Sequence, residues 1–146
     1  MAHRPHLLVP GPWEGDVVSL SDAQTRHLRR VLRLEMGGAV DYTDGAGRRG
    51  SGRMTEGGLE RGDEWMDAEP QPSLCLAVAP PHARERVRFL VEKLSEMGVA
   101  RIRWLRTHHG EGRPPRGDRA AAWAAGALEQ SRGAWQTRVD DDWCGW

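Results

Sequence analysis

The stretch from Leu74 to Leu105 limits the possible folds more than any other part of the chain. Leu74-Cys75-Leu76-Ala77-Val78-Ala79 is a continuous apolar run of strand length, the pattern of a strand buried on both faces. Pro80-Pro81 stops it. Val87, Leu90, Val91, Leu94 and Met97 then recur at helical spacing, and Gly98 is placed as the residue that ends the helix. Val99 to Leu105 reads as a second strand. A strand, a helix and a strand in this order predict two parallel neighbours joined by a crossover. After a loop with two prolines, Asp118 is placed to cap a further helix. That helix runs through Ala120, Ala121, Trp123, Ala124, Ala127 and Leu128 to about Arg132, with Gly133 as its stop.

The preceding residues follow another pattern. Leu7-Leu8-Val9 and Val17-Val18-Ser19-Leu20 are short strand candidates on either side of Pro10-Gly11-Pro12. Ser21 is a candidate N-cap with Gln24 at the capping-box position. The helix it opens is predicted over about Asp22 to Leu34. Leu28, Val31 and Leu32 form its buried stripe, Arg26, Arg29, Arg30 and Arg33 lie mostly on the other faces, and Gly37-Gly38 ends it. Ala39–Thr43 reads as a strand and Asp44-Gly45-Ala46-Gly47 as a tight turn into a return strand. Residues 55–72 are acidic and without period, and Glu69-Pro70-Gln71-Pro72 marks the best boundary. The fold class is therefore α+β: a small β-rich domain over residues 1–72, then an α/β domain over 73–146.

Charge narrows the function. Lys plus Arg and Asp plus Glu are both 21, which excludes a histone-like polycation and an acidic disordered tail. The balance is uneven along the chain. Residues 51–79 carry two basic and six acidic side chains, whereas residues 80–119 carry ten and five. Lys93 is the only lysine, so nearly every cation is a planar guanidinium suited to phosphate oxygens or base edges. Cys75 and Cys144 are far apart with no C-x-x-C, which excludes a zinc ribbon or a thioredoxin-like motif and fits a reducing cytoplasm. No apolar run approaches the ~18 residues of a membrane span.

Three motifs carry a resemblance to a known family. The first is His27-Leu28-Arg29-Arg30-Val31-Leu32-Arg33-Leu34, followed by Gly37 and the Asp44-Gly45 turn. The second, Val91-Glu92-Lys93-Leu94-Ser95-Glu96-Met97-Gly98-Val99, is similar to a V-Q-K-A-T-E-L-G-V helix end. The third, Glu129-Gln130-Ser131-Arg132 before Ala134-Trp135, is similar to E-Q-S-R-R-A-W. Together they resemble the RsmE family, the 16S rRNA uridine-N3 methyltransferases of the SPOUT class. The resemblance implies a PUA-like RNA-binding β-barrel over residues 1–72 and the first part of a knotted parallel SPOUT domain over 73–146. It further implies S-adenosylmethionine as cofactor, 16S rRNA or the small ribosomal subunit as partner, a homodimer, a cytoplasmic location and no membrane. The family's G-P-E-G-G loop and L-G-x-R-I-L-R segment, which build its cofactor-binding knot, do not occur in these residues. The expectation is that the chain stops before the knot and that its own S-adenosylmethionine binding is weak or absent. The alternative function is then a non-catalytic RNA-binding fragment.

Candidate site residues follow from both readings. Arg26, His27, Arg29, Arg30 and Arg33 can meet an RNA backbone, because no Asp or Glu between Gln24 and Leu34 offers an i, i+4 partner. Arg106 and His109 follow a strand's carboxyl end, where α/β sheets place chemistry. Methylating N3 needs its proton removed and the resulting charge stabilised, roles suited to a His and an Arg. His109 stands where the family has Arg, and Thr107-His108-His109-Gly110 replaces its T-E-R-S. Lys93 and Glu96 coincide with the family's Lys and Glu and are expected near the substrate end of the sheet. From pattern alone they are a surface ion pair. Gln130, Ser131 and Arg132 could read a base edge or simply close a helix. A metal on His108-His109 is rejected, because neighbouring side chains on an extended segment diverge and no carboxylate has metal-ligand spacing. Trp104 and Trp123 are expected in the core. The tail Asp140 to Trp146, with Trp143, has no family counterpart, and the sequence leaves both an ordered and a disordered tail open.

Overall fold

A computed structural model describes residues 4–145. Contacts divide the chain into two compact units, Met1–Ala68 and Glu69–Trp146. Among the described residues no helix is long and apolar enough to cross a membrane.

The first unit is a five-stranded sheet in the order β1-β3-β4-β5-β2. The strands are β1 (His6–Leu8), β2 (Val17–Val18), β3 (Ala39–Thr43), β4 (Arg48–Thr55) and β5 (Gly58–Met66). β1 runs parallel to β3 and the other pairs are antiparallel. Leu7, Val9, Trp13, Val40, Tyr42, Met54 and Leu59 form its core. Strand β5 lies in the acidic stretch that shows no period in the sequence. It escaped the periodicity test because only Gly58 and Leu59 are buried, while Glu60 to Met66 are polar or exposed. Polar bonds hold its far half instead. The Tyr42 hydroxyl donates to Glu64 Oε1 at 3.0 Å, and Arg61 grips the same carboxylate at 2.6 and 2.8 Å. Arg61 also donates to the Gly15 carbonyl at 2.7 Å. Gly50 gives Tyr42 its room, since a Cβ there would overlap the phenol ring.

Helix α1 (Asp22–Arg26) starts as its sequence suggests. The Gln24 N–H donates to Ser21 Oγ at 3.2 Å, and the Ser21 N–H donates to the Gln24 side chain at 3.1 Å. It does not continue to Leu34. From His27 to Val31 the backbone widens into a π-helical turn, with the Leu32 N–H bonded to the His27 carbonyl at 3.0 Å. Arg33 then takes a left-handed conformation at φ 51°, so the helix ends well before Gly37. The wider turn rotates the residues after Leu28 away from the sheet. Leu28 is fully buried, but Val31 is 65% and Leu32 46% exposed. The predicted three-residue stripe is one residue.

The second unit holds β6 (Cys75–Val78), α2 (Arg84–Glu96), β7 (Arg101–Leu105), α3 (Gly117–Ser131) and β8 (Arg138–Cys144). The sheet order is β6-β7-β8 and both pairs are parallel, as the strand-helix-strand pattern predicts. Val87, Val91, Val99, Ile102, Trp104 and Ala124 make the core, with Trp123 packed against it. Met97 is instead 75% exposed, one residue before Gly98 turns the chain at φ 80°. Three further expectations are corrected. β6 is not buried on both faces: it is the edge strand among the described residues, and Leu76 is 40% exposed. The residue capping α3 is Arg116, with Asp118 inside the first turn, and Arg132 rather than Gly133 takes the left-handed position at its end (φ 57°).

The acidic tail is ordered as a strand through Cys144. It forms β8, paired with β7 from Arg101↔Arg138 to Leu105↔Cys144. Three consecutive aspartates disfavour a strand, but Arg101 donates to both Asp140 oxygens at 2.8 and 3.0 Å. The Trp104 indole donates to the Asp140 carbonyl at 2.7 Å, and Cys144 is buried. Trp146 lies outside the described residues.

Candidate functional site

Parallel strands bring all their carboxyl ends to one edge, where no further strand covers them. Here Ala79 and Pro80 after β6, Arg106 and Thr107 after β7, and Trp143 of β8 line a cleft of about 300 Å³. The 110–113 segment closes its other side. Gly112 makes that closure possible: it is buried, and a Cβ there would overlap the Pro80 carbonyl oxygen and press on that of Pro81. The Arg106 guanidinium lies 5.0 Å from the centre of the Trp143 ring, a cation–π contact. Arg106 makes no ion pair with a carboxylate among the described residues. The Asp140 clamp therefore has a second consequence. By fixing β8 to β7 it fixes Trp143, and through Trp143 it fixes Arg106. The hydrogen bonds from Arg101 hold the Asp140 carboxyl below the usual carboxylate range, with Arg103 assisting.

The candidates from sequence do not form one site. Arg106 lines the strand-end cleft. His109 is exposed beside it, its ring 4.7 Å from that of His108 and edge-on to it, and it is not part of the lining. The two imidazoles meet because this segment is a turn, not an extended strand. Among the described residues no three His, Cys, Asp or Glu side chains group to hold a metal.

Lys93 and Glu96 are at the other edge of the sheet. They occupy the last turn of α2, which leads through Gly98 into the amino end of β7, and they bond each other at 2.9 Å. A crossover helix runs antiparallel to its strands, so the last turn of α2 meets their amino ends, at the edge opposite the strand-end cleft. Gln130, Ser131 and Arg132 end α3 at that same amino edge, before β8. Gln130 is exposed, while the Ser131 hydroxyl donates back to the Leu128 carbonyl at 3.3 Å.

In the first unit, Arg26, His27, Arg29, Arg30 and Arg33 are all exposed around the π-helical turn. Arg29 reaches the Met36 sulfur at 3.5 Å, and no carboxylate pairs with Arg26, Arg30 or Arg33 among the described residues. Unpaired guanidinium groups spaced over one turn suit phosphate contacts.

Trp143 and Gly112 are not among the site residues to which the sequence points. Trp143 was hidden in an aspartate run. Gly112 sits between Glu111 and Arg113 in a segment with no apolar period, so nothing local marks it as buried.

A family model described as an RNA methyltransferase domain matches residues 68–143, more than half of the chain. The chain belongs to this RNA methyltransferase family. The RsmE-like resemblance read from the three motifs is the same relationship. Among solved structures, the ribosomal RNA small subunit methyltransferase E from Neisseria gonorrhoeae, bound to S-adenosylmethionine, is 25% identical. It superposes with a TM-score of 0.80 over 95% of this chain and 61% of its own. A probable rRNA methyltransferase from Porphyromonas gingivalis is 24% identical, with a TM-score of 0.81 over 95% of this chain and 60% of that one. A methyltransferase structure from Legionella pneumophila, also holding S-adenosylmethionine, has 18% identity and a TM-score of 0.80 over 96% and 63%. No curated protein matches the chain in sequence. The fold is that of these relatives, a PUA-like half-barrel followed by the parallel sheet of a SPOUT domain. S-adenosylmethionine is the cofactor of the family. The chain spans 60% to 63% of the length of these three structures.

Proposed function

We propose that this RNA methyltransferase family member acts on 16S rRNA in the small ribosomal subunit, at N3 of a uridine, in the cytoplasm and as a homodimer. Residues 1–72 grip the RNA and residues 73–146 present the strand-end cleft to the target base. The single observation that carries this reading is the row of exposed, unpaired arginines on the π-helical turn, in a chain whose net charge is zero. A balanced chain that leaves such a row unneutralised has a binding surface for an anion.

The cofactor's sulfonium supplies an electrophilic methyl group. The described residues of the strand-end cleft do not fit that cation, because Arg106 and Arg113 face it with Glu111 as the one acid in the lining. They fit the nucleobase. Removing the N3 proton leaves negative charge shared with the two uracil carbonyl oxygens. Arg106, held over Trp143, is placed to donate to such an oxygen and to stabilise that charge. His109 is assigned as the proton acceptor at N3 on its chemistry, an exposed imidazole three residues after Arg106 in the turn, although the family has an arginine at that position. Lys93, Glu96, Gln130, Ser131 and Arg132 form a second polar surface, at the amino edge, that meets RNA beyond the target. A second reading, an RNA-binding module without catalysis of its own, is favoured by the same cationic lining.

Competition binding tests the substrate. Purified small ribosomal subunits should displace a labelled single-stranded RNA from the chain more effectively than large subunits, and Arg106→Ala should narrow the difference. Equal displacement by both subunits would contradict the assignment to 16S rRNA. Calorimetric titration with S-adenosylmethionine separates the two readings. Silence supports the module, and a micromolar dissociation constant supports catalysis by this chain.

A further inference from the structure

A second cavity, of about 400 Å³, lies against the first turns of α2 and α3 and the loop before α3. Its size is that of a small-molecule site. One wall is apolar: Val87 from α2, Trp123 from α3, and Pro114 and Pro115 from the loop. The rim is cationic. Arg84, Arg113 and Arg119 contribute guanidinium groups, and none of the three pairs with a carboxylate among the described residues. Arg116 is partnered, by Asp118 at 3.2 Å. Helical spacing builds this directly, because Arg119 and Trp123 stand at i and i+4 on one face of α3, just after Arg116 at its N-cap.

The cavity is not isolated. Glu111 and Arg113 line both it and the strand-end cleft, and Pro80 and Pro81 continue the wall from one to the other. Two adjoining sites that share an arginine match two successive nucleotides with a phosphate between them.

We propose that this cavity holds the nucleotide next to the target uridine, with its base against Trp123 and the proline wall and its phosphates on Arg113 and Arg119. The inference rests on the RNA reading above and gives it a specific location. Flat aromatic and apolar walls take an unstacked base of any sequence, and arginine forks take the backbone. An acidic peptide would need the cations but not the aromatic wall.

The test uses the whole chain and three probes: a short single-stranded oligoribonucleotide, the same oligomer with abasic sites, and inorganic phosphate. Arg113→Gln and Arg119→Gln should each weaken the oligoribonucleotide by roughly five- to tenfold, as expected for loss of a charge-assisted phosphate contact. Trp123→Leu should weaken it about tenfold while leaving the abasic oligomer unchanged, the signature of lost stacking. Because Trp123 also packs on the core, circular dichroism checks that variant. If it unfolds, Trp123→Phe replaces it, with a smaller loss in the same direction. Equal affinity of the unsubstituted chain for normal and abasic oligomers would reduce the cavity to an anion site and overturn the proposal. Unchanged oligomer binding in all variants, with binding still lost on Arg29→Ala, would also overturn it and leave the RNA reading intact. No binding of any RNA would remove both.

Discussion

Leu28 and Val31 look alike in sequence, and the structure gives them opposite roles. Leu28 is fully buried under the arginine-bearing turn, while Val31, three residues on, is 65% exposed. Leu28→Ala removes three buried carbon atoms, about 2.4 kcal/mol at ~0.8 kcal/mol each. The cavity left behind raises the cost to about 3 kcal/mol. Val31→Ala removes two carbons that are mostly in water already, about 0.5 kcal/mol, and alanine's better helix propensity offsets much of that. With a urea slope of about 1 kcal/mol/M for a unit this small, the unfolding midpoint should fall by about 3 M for Leu28→Ala. For Val31→Ala it should move by less than about 0.5 M. The first unit has only about 3–10 kcal/mol to lose, so Leu28→Ala should also loosen the turn that presents Arg29, Arg30 and Arg33 and weaken RNA binding. Val31→Ala should bind RNA normally. Equal midpoint shifts for the two variants would mean a regular α-helix with a buried stripe and would refute the π-helical turn.

Other consequences are equally direct. Gly112→Ala should push the 110–113 segment off Pro80 and Pro81, lowering RNA affinity and thermal stability together; an unchanged melting temperature would contradict the close approach seen there. Burial, with help from the Glu64 carboxylate, pushes the Tyr42 hydroxyl up to about 12. Its contribution to stability is therefore complete below the ordinary tyrosine value of ~10 and is lost as pH rises from there through the folded value, a limb that Tyr42→Phe should abolish in alkaline urea titrations. Asp140 runs the other way. Its folded value is lowered, so its contribution is complete above ~4 and fades as pH falls through that lowered value. Asp140→Asn should accordingly destabilise the second unit at neutral pH, with the gap to the unsubstituted protein closing in acid.

Local signals and long-range signals were unequally legible. The capping box at Ser21, the strand Ala39–Thr43 and the parallel β6-α2-β7 unit follow from short-range pattern, because each depends on residues within one or two turns of chain. The π-helical turn does not. It changes one hydrogen-bond register, and the hydrophobic spacing of Leu28, Val31 and Leu32 fits a regular helix just as well. Strands β5 and β8 were illegible for a related reason: polar side chains hold them through partners far away in sequence, Tyr42 for Glu64 and Arg101 for Asp140. The site divides in the same way. Arg106 was visible as the residue after a strand, but its partner Trp143 and the wall made by Gly112 depend on where β8 and the 110–113 segment fold back. Lys93 and Glu96 were visible as a motif, and only the direction of α2 reveals which edge of the sheet they occupy.

The central claim is that the exposed arginines of the π-helical turn bind the RNA backbone. Its most direct measurement is the salt dependence of RNA affinity for the unsubstituted chain and for Arg29→Ala/Arg30→Ala/Arg33→Ala. If each arginine meets a phosphate, the slope of log K against log salt should be shallower in the variant by about two, from ~0.7 per contact on single-stranded RNA. An unchanged slope would show that these arginines face solvent, and the RNA grip would have to be sought elsewhere on the molecule.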